Sequence, residues 1–201
     1  MGAISPFLLF SNPHMLGLPN VRTSMQKPIK TRRLVLRALK DSDVPQLTRL
    51  AGDWDVARMT ARIPYPYSEA MAREWLASLA PGEFVRAVTF GGTLVGAVGY
   101  VPNDDGSAEI GYWIGRPWWG RGFASEAARA LVRYCFTTAG FKRLTCCHFE
   151  DNLASARVVR KLGFRAKGVV ETWSDARQGE YPARTYERAR PLRAVLWRIT
   201  A

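Results

Sequence analysis

Residues 116–128 read RPWWGRGFASEAA: an apolar strand ends, two tryptophans lead to Gly120 and Gly122, and an amphipathic helix opens at once. The two glycines let the backbone approach a ligand closely. The N–H groups of Arg121 to Ala124 stand at a helix N-terminus, whose partial positive charge favours an anion. The segment therefore has the chemistry of a pyrophosphate cradle. A nucleotide-hydrolysing loop spaced from Gly115 to Gly120 would need Lys and then Ser or Thr where Arg121 and Gly122 stand, so the magnesium ligand is missing. A dinucleotide fingerprint from Gly120 would need glycine at Ser125 and an acidic residue about 20 positions on, where there is none. The plain alternative is a turn that merely joins strand to helix.

Working back from this loop, the pattern has period two. FVRAVTF (84–90), Gly91-Gly92 and TLVGAVGYV (93–101) predict a hairpin, and SAEIGYWIG (107–115) a third antiparallel strand after the turn residues Asn103 to Gly106. Earlier, KTRRLVLRAL (30–39) predicts a strand, and Asp41 or Ser42 the cap of a helix reaching Leu50. Ser68 caps a second helix that carries Met71, Trp75, Leu76 and Leu79 and ends at Pro81-Gly82. Beyond the loop the chain alternates: a helix over 121–138, a strand over 143–149, a helix over 153–162, and strands near 165–173 and 192–199. Antiparallel strands followed by β-α-β-α-β predict a mixed α/β fold, one mostly antiparallel sheet with helices on its faces.

Taken in order, TRRLVLRAL, EIGYWI, WWGRGFASEA and DNLASARVVRKLGF resemble the GNAT superfamily of N-acetyltransferases, in particular its RimJ/RimL-like branch, over residues 31–164. The resemblance implies acetyl-CoA as acyl donor and direct transfer to a primary amine in a ternary complex, with no metal and no covalent enzyme intermediate. The acceptor is then a protein N-terminal α-amine or a small-molecule amine such as a polyamine or aminoglycoside. In the family the loop has the form Gln/Arg-x-x-Gly-x-Gly/Ala, which places Trp119, Gly122 and Ala124 at the defined positions. Trp119 departs from Gln or Arg, a side-chain change where backbone N–H groups hold the pyrophosphate. The cofactor-binding residues implied are Tyr112, Trp113 and Ile114 on a strand that splays from its neighbour, Trp119, Gly120, Arg121, Gly122, Phe123 and Ala124 in the loop, and Asn152.

Aminolysis of a thioester needs a neutral amine, so a group must accept its proton. Glu109 interrupts an apolar strand on the face of Gly111 and Trp113, where partial burial would raise its pKa to a useful value. A glutamate in this strand is a proposed base in some relatives; ion pairing is the bland reading. Asn152 reads as the N-cap of a helix with Ala154, Val158 and Leu162 as its apolar stripe. Ser155, three residues on, matches the family's serine near the sulfur and is the candidate acid for the leaving thiolate. The arginine-rich segment 176–195, broken by Pro182 and Pro191, departs most from the family and leaves the acceptor open. Trp54, Tyr65, Tyr67 and Trp75 come from the region walling the acceptor side in relatives but read as core aromatics.

Composition bounds the rest. The chain has 201 residues, 29 Lys plus Arg against 17 Asp plus Glu and a formal charge of +12, which attracts anions of some kind. No aromatic-plus-basic platform of a recognisable RNA-binding motif is present, so nucleic acid is not expected as substrate; a basic RNA-associated protein and a catalytically silent acyl-CoA sensor are the alternatives to an enzyme. Cys135, Cys146 and Cys147 are odd in number and adjacent in part, and consecutive Cys-Cys-His148 cannot converge on one metal, which favours a reducing cytoplasm, no disulfide framework and no metal. The apolar run 7–10 lacks a preceding basic residue and is flanked by Pro6 and Pro13, so no signal peptide or membrane span is expected. Residues 1–28 read as an N-terminal arm, or in part as an over-long start before Met25. Residues 29–201 read as one acetyltransferase domain, monomeric or homodimeric.

Overall fold

The apolar runs flanking Gly91 and Gly92 become the centre of one sheet. The computed structural model describes residues 27–79 and 82–191. Its strands are β1 (Ile29–Lys30), β2 (Leu34–Arg37), β3 (Phe84–Phe90), β4 (Thr93–Pro102), β5 (Ala108–Ile114), β6 (Arg143–Phe149), β7 (Arg165–Ser174) and β8 (Gly179–Ala189). Its helices are α1 (Val44–Ala51), α2 (Trp54–Ala57), α3 (Glu69–Ser78), α4 (Phe123–Thr137) and α5 (Leu153–Lys161). The strands lie in the order β1-β2-β3-β4-β5-β6-β8-β7, antiparallel at every pairing except the parallel β5–β6. The mixed, mostly antiparallel α/β sheet expected from the order of elements is the one observed.

Successive side chains point to opposite faces. Phe84, Val88, Val98, Ile110 and Leu144 pack with Leu131 of α4 on one face; Val85, Ala87, Ala97 and Trp113 pack with Leu47 of α1 and Trp75 of α3 on the other. With both faces covered, β3 is buried from Phe84 to Thr89, Arg86 included, and so carries an almost continuous apolar run in place of strict alternation. Among the described residues no helix is long and apolar enough to cross a membrane.

Several expectations shift. Asp41 and Ser42 do not cap α1; they open a 3-10 turn, and the helix proper starts at Val44. On α3, Ser68 Oγ accepts from Met71 N at 3.2 Å as a cap should, but Ala72 and Trp75 are the buried residues and Met71 faces solvent. The strand expected near 192–199, all of the 1–28 arm but its last two residues, and Pro81 lie outside the described residues. The arginine-rich segment is not broken: β8 runs through Pro182 between β6 and β7. Pro182 O accepts from Glu150 N at 2.9 Å, just past the last β6–β8 pair, Phe149↔Ala183. In an extended strand the missing N–H points the same way as that carbonyl, beyond the end of β6, so the β7–β8 ladder loses nothing.

Two carboxylates clamp the start of the fold to the sheet. Asp43 accepts from Arg37 Nη1 and Nη2, both at 2.7 Å, and from Lys40 N at 2.9 Å. Glu126, in the first turn of α4, accepts from Thr31 Oγ1 at 2.6 Å, Arg33 N at 2.8 Å and Arg33 Nε at 2.7 Å. Burial alone would raise both pKa values, but these hydrogen bonds and the arginine charges outweigh it and hold both below the ordinary 3.8 and 4.5. A depressed carboxylate contributes stability that is complete above its unfolded value and lost as pH falls through the folded one. Thermal melting should therefore be flat at neutral pH and fall once the pH drops below those ordinary values. Asp43→Asn and Glu126→Gln should each lower the neutral melting temperature and flatten the acid slope.

Candidate active site

β5 and β6 pair only at Ala108↔Leu144 and Glu109↔Thr145, although β5 continues to Ile114 and β6 to Phe149. The strands diverge, as the resemblance implies. Gly115 N donates to Val95 O of β4 at 2.8 Å. By the alternation of an extended strand, the N–H and C=O of Tyr112 and Ile114 then point away from β4, into the opening, while those of Trp113 point toward β4. Trp119 Nε1 already donates to Ile114 O at 2.6 Å, which ties the indole to the strand it follows.

The loop ends at Gly122, left-handed at φ +76°, and the first intrahelical bond of α4 is Glu126 N to Gly122 O. The N–H groups of Phe123, Ala124 and Ser125 precede it and have no acceptor within the helix. A Cβ at Gly120 would meet nothing within 4 Å, and one at Gly122 only Arg33 Nη2 at 3.6 Å, so space lies beside both.

A cavity of about 670 Å³ occupies the opening. On one face of the sheet it is walled by the loop, the start of α4 and α5; through the opening it reaches Asp55 to Arg62 on the other. Of the residues singled out by sequence, Tyr112, Trp113, Ile114, Trp119, Gly120, Gly122, Phe123, Ala124, Asn152 and Ser155 are on its wall. Glu109 and Arg121 are not. The Arg121 guanidinium lies over the Trp118 ring, 5.0 Å from its centroid. Glu109 is 4% exposed, and Cys147, which is on the wall, donates its thiol to Glu109 Oε1 at 3.4 Å.

The Tyr112 hydroxyl and Ser155 Oγ are 2.8 Å apart across the cavity wall. Asn152 Oδ1 accepts from Ser155 N at 2.9 Å, the capping bond that fixes the first turn of α5. Burial pushes the Tyr112 phenol well above its ordinary pKa, so it stays protonated at neutral pH.

Sequence reasoning missed the far wall. Asp55 to Arg62 has no motif, and its position depends on tertiary contacts: Asp175 N donates to Ala61 O at 2.9 Å, and Ala61 packs with Phe149 and Ala183. Thus the β7–β8 turn does shape this end. Trp75 and Tyr67 pack in the α1–α3 core, and Trp54 and Tyr65 meet edge to face at 5.1 Å on the surface. None of these four is on the cavity wall.

Residues 33–165 match the acetyltransferase (GNAT) domain. The chain is 28% identical over 156 residues to the uncharacterized N-acetyltransferase p20 of Bacillus licheniformis, covering 73% of this chain and 87% of p20. It is 27% identical over 152 residues to the L-amino acid N-acetyltransferase AaaT of Escherichia coli, covering 74% and 92%. Among solved structures, the acetyltransferase from Salmonella typhimurium that modifies the N-terminal serine of ribosomal protein L7/L12 superposes with a TM-score of 0.71 at 20% identity, over 82% of this chain and all of that one. The divergent strand pair and the helix N-terminus beside it lie within the matched residues, and the chain belongs to the acetyltransferase (GNAT) family, as an acetyl-CoA-dependent N-acetyltransferase.

Proposed function

We propose that acetyl-CoA lies with its pyrophosphate on the N–H groups of Gly120 to Ser125 and its pantetheine arm in the β5–β6 opening, and that an amine enters from the Asp55–Arg62 face. The observation that carries this reading is the opening itself, through which the cavity joins the helix N-terminus on one face to the Asp55–Arg62 wall on the other. The amine nitrogen attacks the thioester carbon, and the carbonyl oxygen gains charge beside the Tyr112 and Ile114 N–H groups. Collapse breaks the C–S bond; Ser155 gives its hydroxyl proton to the departing thiolate and recovers one from Tyr112, which takes a proton back from solvent before the next turnover. The ammonium proton left on the new amide nitrogen goes to solvent or a base, and the products are the acetamide and free CoA.

Glu109 takes that proton only through a relay, because Cys147 stands between it and the cavity. We therefore assign it a positioning role. Glu109→Gln should lower kcat/KM about 10-fold with acetyl-CoA affinity unchanged; a wild-type kcat/KM would take Glu109 out of the reaction. The acceptor class spans a protein α-amine, as the Salmonella typhimurium structure suggests, and a small amine, as AaaT suggests. The three cysteines are free, in keeping with a reducing cytoplasm. Calorimetric titration with acetyl-CoA tests the reading: saturable binding near one equivalent is expected, and none to folded protein would overturn it.

A further inference from the structure

We propose that the acceptor carries a carboxylate beside its reacting amine, and that Arg62 is the side chain that recognises it. This rests on the placement of acetyl-CoA above. Arg62 is on the cavity wall at the face opposite the phosphate loop, and it also borders a small cleft lined by Trp113, Trp75 and Tyr67. Its Nε is buried and has no hydrogen-bond partner among the described residues. A buried guanidinium N–H left unpaired costs free energy that an arriving anion recovers, and the planar fork of arginine suits a carboxylate.

The charges around it are accounted for. The cavity wall carries two carboxylates, and both are engaged: Asp55 with Arg58 at 3.1 Å and Arg116 at 3.4 Å, Asp151 with Arg177 at 2.9 Å. The cations Arg157 and Lys161 belong to α5, on the side of the phosphate loop, which leaves Arg62 as the acceptor-side cation on the wall with no ion pair among the described residues. A polyamine or aminoglycoside would bring further positive charge to this wall with no free carboxylate to meet it. An amine with its own carboxylate brings the missing partner. That carboxylate comes either from the α-carboxyl of a free amino acid or from an acidic residue next to a peptide N-terminus.

The experiment measures acetyl transfer at saturating acetyl-CoA by thiol release, with acceptors in matched pairs compared at equal free-base concentration. L-Methionine against L-methioninamide and L-serine against L-serinamide probe the first source; the peptide amide Ser-Glu against Ser-Gln probes the second. In at least one pair the carboxylate member should lead by 10-fold or more in kcat/KM, mostly through KM. Arg62→Ala should fall at least 10-fold harder on that member than on its neutral mate, and Arg62→Lys, which keeps the charge without the fork, should restore part of the preference. Equal rates within every pair, an equal loss on both members in Arg62→Ala, or no turnover of any carboxylate acceptor while acetyl-CoA still binds would each overturn the proposal. Melting temperature and acetyl-CoA titration of each variant separate a folding defect from lost recognition. A wild-type protein that binds no acetyl-CoA would overturn the placement of the donor, and this inference with it.

Discussion

Gly122→Asp should weaken acetyl-CoA binding in calorimetry roughly 100- to 1000-fold, while lowering the melting temperature only modestly. Gly122 is the N-cap of α4 in the left-handed region, where any L side chain is strained but aspartate less than most, so the fold should survive at a modest cost. Space is available, since the nearest atom to a Cβ there is Arg33 Nη2 at 3.6 Å. The carboxylate would project beside the N–H groups assigned to the pyrophosphate. Like charges about 4 Å apart repel by about 4 kcal/mol at an effective dielectric of about 20. That is close to three decades in affinity. A variant that stays folded and still binds acetyl-CoA like the wild type would remove the pyrophosphate from this loop.

Ser155→Ala should lower kcat roughly 100-fold at neutral pH, at the lower end of what general-acid catalysis supplies, with acetyl-CoA affinity within about threefold of wild type. The fold should not suffer, because the Asn152 cap bonds the backbone N–H of residue 155 and not its side chain. Tyr112→Phe should lose less, since water can return a proton to the serine. The double variant should be no slower than Ser155→Ala, because the two hydroxyls act in series. Full activity in Ser155→Ala with a large loss in Tyr112→Phe would instead make the tyrosine the donor to sulfur.

The loop, the strand before it and the capped helix after it were legible because each signal is local: glycines at 120 and 122, a period of two over 107–115, and Asn152 ahead of an apolar stripe. Local signals carry no depth. The parity of Glu109 was readable, on the face of Trp113, yet nothing in the sequence says that this part of β5 is covered on both faces and that Cys147 shields the carboxylate. The Tyr112–Ser155 contact joins residues 43 positions apart, and neither neighbour predicts the other. Arg62 has no motif around it; its place follows from Ala61 being bonded to Asp175 of the β7–β8 turn, which leads into the segment that sequence reading treated as broken by Pro182 and Pro191. The proline misled because its effect depends on which side of the strand lacks a partner.

The divergence of β5 from β6 carries the cavity through the sheet, from the glycine loop on one face to Asp55–Arg62 on the other. With donor and acceptor placed as proposed, the two need not pass one another. A single molecule joining the sulfur of CoA to the nitrogen of the acceptor through a short carbonyl-methylene bridge would then thread the sheet and hold both ends of the cavity at once. The second half would then bind at the high effective concentration set by that bridge, so such a bisubstrate compound should inhibit far more tightly than CoA or the amine alone.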